Sequence, residues 1–324
     1  MFALPRAHYR MWSAVPRRLE DRLAAIDRIA GPPGAAELAE LRQALAGKNG
    51  LLVAAAARVV GDLAVDALVE ALPAAFANLL ERPVERDPGC RGKVQIARTL
   101  VQLERWSESV FGRGAAHVQR EPVWGTTVDT AAELRAVCGI AHARFARHDA
   151  LEVLVQLLAD PERTARAGAA QGLGDSGRPD AIPLLRYKAL IGDDEPAVLA
   201  ACFSSLLSLD PEPSVAFLAG FLAASGERAE VAAIALGESR REAALPALLG
   251  WCDTPSAEQR AVGYLALALL RLEPATAFLL DVVRDGAPDD ALAAARALAT
   301  FKSDPAVAGR VRATTRRREI LALF

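Results

Sequence analysis

Lysine is nearly missing from this chain: Lys48, Lys93, Lys188 and Lys302 stand alone, and arginine carries the rest of the positive charge. Such a bias reads as the mark of a GC-rich coding sequence more than of a binding device. The 38 basic residues are balanced by 40 acidic ones, giving a net charge of −2 and a pI near 6.2. No global basic field is left for nucleic acid or an anionic membrane. Aromatics make up 5% of the chain, too few for a large β-sandwich core. Cys90, Cys138, Cys202 and Cys252 are far apart and form no CxxC pair. They read as buried free thiols in a reducing compartment. The N-terminus, MetPheAlaLeuProArgAlaHisTyrArg, places a proline and charges where a signal peptide needs an apolar run. The longest apolar stretches, around Leu51–Ala57 and Ala261–Leu270, fall well short of the roughly 20 residues that span a bilayer. A soluble cytoplasmic protein without membrane contact is expected.

What the chain has is a period. Aligning Arg166 with Leu199, Ala229, Arg260 and Ala291 gives steps of 33, 30, 31 and 31 residues. A leucine follows each by seven: Leu173, Leu206, Leu236, Leu267 and Leu298. An aspartate precedes several by six (Asp160, Asp193, Asp285), with Asp253 one place out of step. A fixed period of this size predicts stacked helical hairpins, none able to bury its apolar face alone. The 52% hydrophobic share, drawn largely from alanine, suits helices packed closely side by side. One helix of each hairpin carries a proline in its first turn, as in 182–187 and 245–251, where the missing N–H is no loss. The other follows a turn rich in Asp, Pro, Gly and Glu, as at 160–163 and 254–258, expected to supply its N-cap. LeuGly at 173–174 and 236–237 reads as the helix end, with glycine in the left-handed conformation.

The beat continues upstream through Asp129/Arg135, Asp87/Lys93 and Val53, but the steps 53→93 and 93→135 are too long. The surplus falls near Arg82–Gly92 and in 105–130. The organisation expected is one solenoid over 1–324: capping helices in 1–47, irregular repeats with insertions in 48–150, regular repeats in 151–310, and a C-terminal cap in 311–324 with Arg316, Arg317 and Arg318.

The Asp…Arg pair at spacing six, the small-residue helix behind it and the proline-bearing partner helix resemble HEAT repeats. They are most similar to the short bacterial kind also seen in phycobilisome lyase-like proteins. The resemblance covers 151–310 well and 48–150 less regularly. It implies an all-α fold, a right-handed α-α superhelix of about eight hairpins, and a hydrogen-bonded Asp/Arg ladder between neighbouring units. Asp129/Arg135, Asp160/Arg166 and the offset Asp253/Arg260 are the pairs expected to build that ladder. The units at Leu199, Ala229 and Ala291 lack the basic member, so the ladder is expected to break there.

Chemistry finds little support. His8, His117, His142 and His148 form no HisGlu or HisxxxHis spacing, and His142 falls where other units place a core leucine. GlyxSerxGly, a phosphate-binding GlyxxxxGlyLys(Ser/Thr) and a dinucleotide fingerprint after a strand are absent, and no strands are evident. GlyLeuGlyAspSerGly at 172–177 repeats the helix-ending LeuGly and reads as a turn. No catalytic residue, metal or cofactor is therefore expected. The 105–130 insertion stands apart, with Trp106, His117, Arg120, Glu121 and Trp124. Aromatics and arginine dominate interface energetics, which makes these five the candidate contacts for a protein or peptide partner. The alternative is a packed loop whose Asp129 caps the next helix. The function expected is a non-enzymatic scaffold that binds through this insertion and the concave face of stacked second helices. Helix-start residues Glu162, Arg163, Glu195, Arg228, Glu258 and Asp290 would give that face mixed polarity. A repair-glycosylase reading would cast Trp124 and Asp129 at the centre of a basic groove. The arginine clusters at Arg17–Arg18, Arg144–Arg147 and Arg310–Arg318 are interleaved with acids and disfavour it. A chromophore lyase rests on repeat type alone.

Overall fold

The computed structural model describes residues 17–224, 226–254 and 256–324. The N-terminal residues 1–16 with His8, the side chains of Arg17 and Arg18, and Pro255 of the 254–258 turn lie outside the described residues. The chain divides into two compact units, Met1–Val153 and Leu154–Phe324.

In the N-terminal unit the elements run α1 (Arg17–Asp27), α2 (Ala35–Leu45), α3 (Gly50–Asp62), α4 (Asp66–Val69), α5 (Leu72–Leu80), α6 (Pro83–Arg86), a 3₁₀ turn (Pro88–Cys90), α7 (Arg91–Gln102) and α8 (Glu108–Ala115). A hairpin of β1 (Arg120–Val123) and β2 (Thr126–Asp129) follows, then α9 (Ala132–Arg144). Next comes α10 (Ala150–Leu158), which crosses the boundary between the units. Asn49 starts α3 by accepting hydrogen bonds from the amides of Leu51 and Leu52, satisfying two donors that a helix N-terminus leaves open. Helices α3, α7 and α9 pack in sequence, with α5 against α7 and α8 against α9. The Thr99 hydroxyl donates to the Ala57 carbonyl at 2.9 Å and links α7 to α3.

The C-terminal unit holds α11 (Arg163–Asp175), α12 (Ala181–Ile191), α13 (Pro196–Leu209), α14 (Pro211–Ala219), α15 (Glu227–Glu238), α16 (Leu245–Cys252), α17 (Ala257–Leu270), α18 (Glu273–Asp285), α19 (Pro288–Ala299), α20 (Pro305–Thr314) and α21 (Arg318–Leu321). Here α11, α13, α15, α17 and α19 each pack on the next, while α12, α14, α16 and α18 cover the helix that follows them. The fold is thus an all-α helical repeat. The periodic leucines Leu173, Leu206, Leu236 and Leu267 are fully buried, so truncating any one to alanine costs about 2–5 kcal/mol. Buried alanines such as Ala169, Ala170, Ala232 and Ala233 keep the helices close.

Three local expectations are corrected. Gly174 and Gly237 lie inside the last turns of α11 and α15, and the left-handed residues come three positions later, at Gly177 (φ 63°) and Arg240 (φ 53°). The glycines serve close approach: a Cβ on Gly237 would sit 2.4 Å from the Ala266 carbonyl oxygen, and one on Gly174 2.5 Å from the Ser205 hydroxyl. Asp129, Asp160 and Asp193 do not cap helices. Each accepts from the amide two residues on (Ala131, Glu162, Glu195), closing the turn in front of the helix, because the N-cap position falls on that later residue. The chain also has strands, the β1–β2 hairpin, where the insertion reads from sequence as a loop.

Candidate interaction site

The hairpin pairs Arg120 with Asp129, Glu121 with Val128, Pro122 with Thr127 and Val123 with Thr126. Two residues remain for the turn, Trp124 (φ 40°) and Gly125 (φ 86°), both with the positive φ that tight hairpin turns demand. Glycine adopts this freely, whereas for tryptophan it is an uncommon and strained conformation. Trp124 is also 98% exposed, with Val118, Val123 and Val128 exposed around it. Arg120 is exposed at the start of β1.

A two-stranded ribbon has little stability of its own, and this one is held at its base. The two insertions meet there. Gln119, 1% exposed, donates its side-chain amide to the Asp87 carbonyl (2.8 Å) and to Glu121 Oε1 (2.6 Å). The same Glu121 oxygen accepts from the Gly89 amide (2.7 Å) and the Thr130 hydroxyl (2.7 Å). Asp129 accepts from the Gln119 amide and pairs with Arg135 at 2.7 Å, and Arg135 also donates to the His117 carbonyl. Beneath lies a fully buried pair, Lys93 Nζ to Asp87 Oδ2 at 2.9 Å, with Asp87 further accepting from the amides of Gly92 and Lys93.

These contacts set the protonation states. Burial by itself would raise the carboxyls of Glu121 and Asp129. For Glu121 the donors Gln119, Thr130 and Gly89 outweigh it, and for Asp129 the amides of Gln119 and Ala131 with Arg135 do. Both are held below the usual carboxylate range. Burial lowers His117 below the ordinary imidazole value, against its hydrogen bond with Gln119. The carboxylates of this junction are therefore all engaged, Asp87 by Lys93, Asp129 by Arg135 and Glu121 by neutral donors, and they fix the hairpin's orientation.

Of the five candidate contacts, the structure separates two from three. Trp124 and Arg120 face solvent. Trp106 is packed: its ring stacks on Phe111 at 5.0 Å, meets His142 and Phe145 edge-on, and carries the Arg147 guanidinium 4.7 Å above it. His142 is buried there, at the position where other repeats place leucine. His117 and Glu121 belong to the junction. Sequence reasoning missed Gln119, Thr130 and the buried role of Lys93. The signal was present in GluProValTrpGlyThrThrVal, a β-branched run around a glycine.

The ladder pairs are distributed differently from their spacing. Asp129/Arg135 pair directly. Arg166 donates back to the Asp160 and Pro161 carbonyls and reaches forward to the carboxylates of Asp193 (2.7 Å) and Asp194 (2.9 Å) in the next repeat. Lys188 joins Asp193 at 2.8 Å, supplying a cation where the repeat beginning there has Leu199. Arg260 donates to the Thr254 carbonyl, six residues back, and pairs forward with Asp290 at 2.8 Å in place of Asp253. The guanidinium thus ties one repeat's turn to the next repeat's acid, which explains why Asp253 tolerates being out of step. Glu195 pairs with Arg163 at 3.1 Å, so it and Asp290 join repeats to one another.

Among the described residues no group of three or more His, Cys, Asp or Glu side chains is placed to hold a metal, and no helix is long and apolar enough to cross a membrane. The fold and its arginine ties define a helical-repeat protein of the kind that presents surface. The HEAT-repeat family model matches residues 126–187 and 151–232, so the chain carries HEAT repeats across this stretch. No curated protein matches the sequence.

Proposed function

We propose that the chain is a non-enzymatic scaffold that binds a protein partner through the tip of the β1–β2 hairpin, with Trp124 as the anchor and Arg120 beside it. The observation that carries this reading is the exposure of Trp124, 98%, on a turn whose backbone tryptophan disfavours. A large aromatic held in water on a fixed support offers much contact area with little ordering left to lose on binding. HEAT repeats commonly serve protein interactions, and the buried Lys93–Asp87 pair, with Glu121 saturated by the neutral donors Gln119, Gly89 and Thr130, favours a structural junction over a reactive centre.

The test is affinity capture from the native host with wild type, Trp124→Ala and Arg120→Ala, read by mass spectrometry. A protein retained by wild type and lost with Trp124→Ala, at unchanged helical content and melting, is the expected result. Identical capture by all three variants, or nucleic acid as the retained species, would sink this reading.

A further inference from the structure

The C-terminal unit carries a second feature of recognisable chemistry. Between α13, α15 and α17 runs a groove of about 440 Å³, floored by Ala197, Ala200, Val231, Ile234, Val262 and Leu265. The α13 wall is made of alanines exposed to solvent, so the groove stays wide and open. Its polar lining consists of three carboxylates on α15: Glu227, Glu230 and Glu238. Among the described residues, no cation lies within ion-pair distance of any of them, in a unit where Arg163, Arg166, Arg260, Arg284 and Arg310 are each paired with an acid.

Two of these glutamates have a local reason to be where they are. Glu227 and Glu230 stand in the first turn of α15, where negative charge complements the helix dipole. Glu238 does not. It is the last residue of the same helix, the end at which the dipole opposes a carboxylate. The basic residues that follow it, Arg240 and Arg241, form no ion pair with Glu238, although Arg241 and Glu238 share the lining of an adjoining pocket with Ser204 and Ser208. The groove therefore presents an aliphatic floor with carboxylates outside any ion pair at both ends. From Glu227 to Glu238 is about 16 Å along the helix axis at 1.5 Å per residue.

We propose that this groove takes an amphipathic helix of a partner protein, with an aliphatic stripe facing the floor and Lys or Arg about three turns apart meeting Glu227/Glu230 and Glu238. The proposal rests on the reading of the chain as a binding scaffold and names the chemistry of one contact. A helix presents side chains at i, i+3, i+4 and i+7 on one face, which suits a floor built from side chains of three neighbouring helices. Charge at the ends fixes register, and the aliphatic centre supplies affinity.

Two fluorescein-labelled synthetic 15-residue peptides test this on the full chain: an amphipathic Leu/Lys helix and its Leu/Glu counterpart, titrated by fluorescence anisotropy near physiological salt. The Leu/Lys peptide should bind and the Leu/Glu peptide should not. Glu230→Gln with Glu238→Gln should weaken binding about tenfold, as should Ile234→Ser. Glu212→Gln with Glu319→Gln, remote from the groove, should leave it unchanged. The proposal is overturned by no binding of the Leu/Lys peptide, by equal binding of both peptides, or by groove variants indistinguishable from the remote ones. Should Ile234→Ser melt early, the carboxamide pair, which removes no apolar contact, decides. None of these outcomes touches the Trp124→Ala capture result, so failure of the groove and failure of the scaffold reading are separable.

Discussion

At the scale of single residues, the hairpin tip and the buried junction beneath it behave oppositely on substitution. Trp124 buries almost nothing and occupies a left-handed conformation that asparagine tolerates well. Trp124→Asn creates the Asn-Gly turn this hairpin geometry favours, and it should raise the unfolding free energy from urea titration by about 0.5–1 kcal/mol while abolishing capture of the partner. A loss of stability would show that the indole makes contacts its exposure conceals. Lys93→Met is the converse. It leaves Asp87 charged and buried with only two backbone amides, and should cost about 3–5 kcal/mol in denaturant titration. The four thiols give a third residue-scale expectation. Burial pushes Cys90, Cys202 and Cys252 up to about 12 and raises Cys138 further, so none should react with Ellman's reagent until the chain unfolds. Residue types alone pointed to Trp124 and Arg120 because aromatics and arginine have few structural duties in an insertion. They could not separate Trp124 from Trp106, since only packing reveals that one ring is stacked on Phe111 and the other on nothing.

Among elements, the helices were legible because each repeat reuses the same small-residue face, so five copies of one pattern reinforce one another. The hairpin was not. Its strands are four residues each, one contains Pro122, and neither shows the alternation of a half-buried sheet, since most of their residues face water. What stabilises it is the junction at its base, which depends on Asp87, Gly89 and Gln119, 30 or more residues apart for the first two contacts (32 in each case). The groove was illegible for a related reason: whether Ile234 or Leu265 is floor or core depends on the neighbouring helix, and Glu195 and Asp290, expected among the polar residues of the concave face, are engaged between repeats. Glycine at the helix ends carries the sharpest element-scale prediction. Gly237 lets α15 approach α17 until backbone faces backbone, and a methyl there meets the Ala266 carbonyl with no flexible side chain to yield. Gly237→Ala should therefore destabilise by about 1–3 kcal/mol despite its better helix propensity. Gly309→Ala in α20, with open space at its Cβ, should be neutral or stabilising by up to about 1 kcal/mol.

At the scale of the molecule, acid should act on both units through the same chemistry. Asp193 in the C-terminal unit, with Asp129 and Glu121 in the N-terminal one, are each penalised by burial, which taken alone would raise them. Hydrogen bonds from Arg166 and Lys188 to Asp193, and from the junction donors to the other two, outweigh that penalty and hold all three carboxyls below their ordinary values, Asp193 furthest. A carboxyl with a depressed folded value contributes stability that is complete above its unfolded value, about 3.9 for Asp and 4.3 for Glu, and that is lost as pH falls through the folded value. Urea midpoints should therefore fall steeply below about pH 4, after a smaller decline below about pH 6.5 from His117, whose folded value is also depressed. Asp193→Asn gives the check. It should lower stability at neutral pH, because Arg166 and Lys188 lose their shared carboxylate, and it should also flatten the acid limb, because the most strongly depressed group no longer titrates. A variant that is destabilised at pH 7 yet keeps the full acid slope would place the acid sensitivity elsewhere than in the ties between repeats.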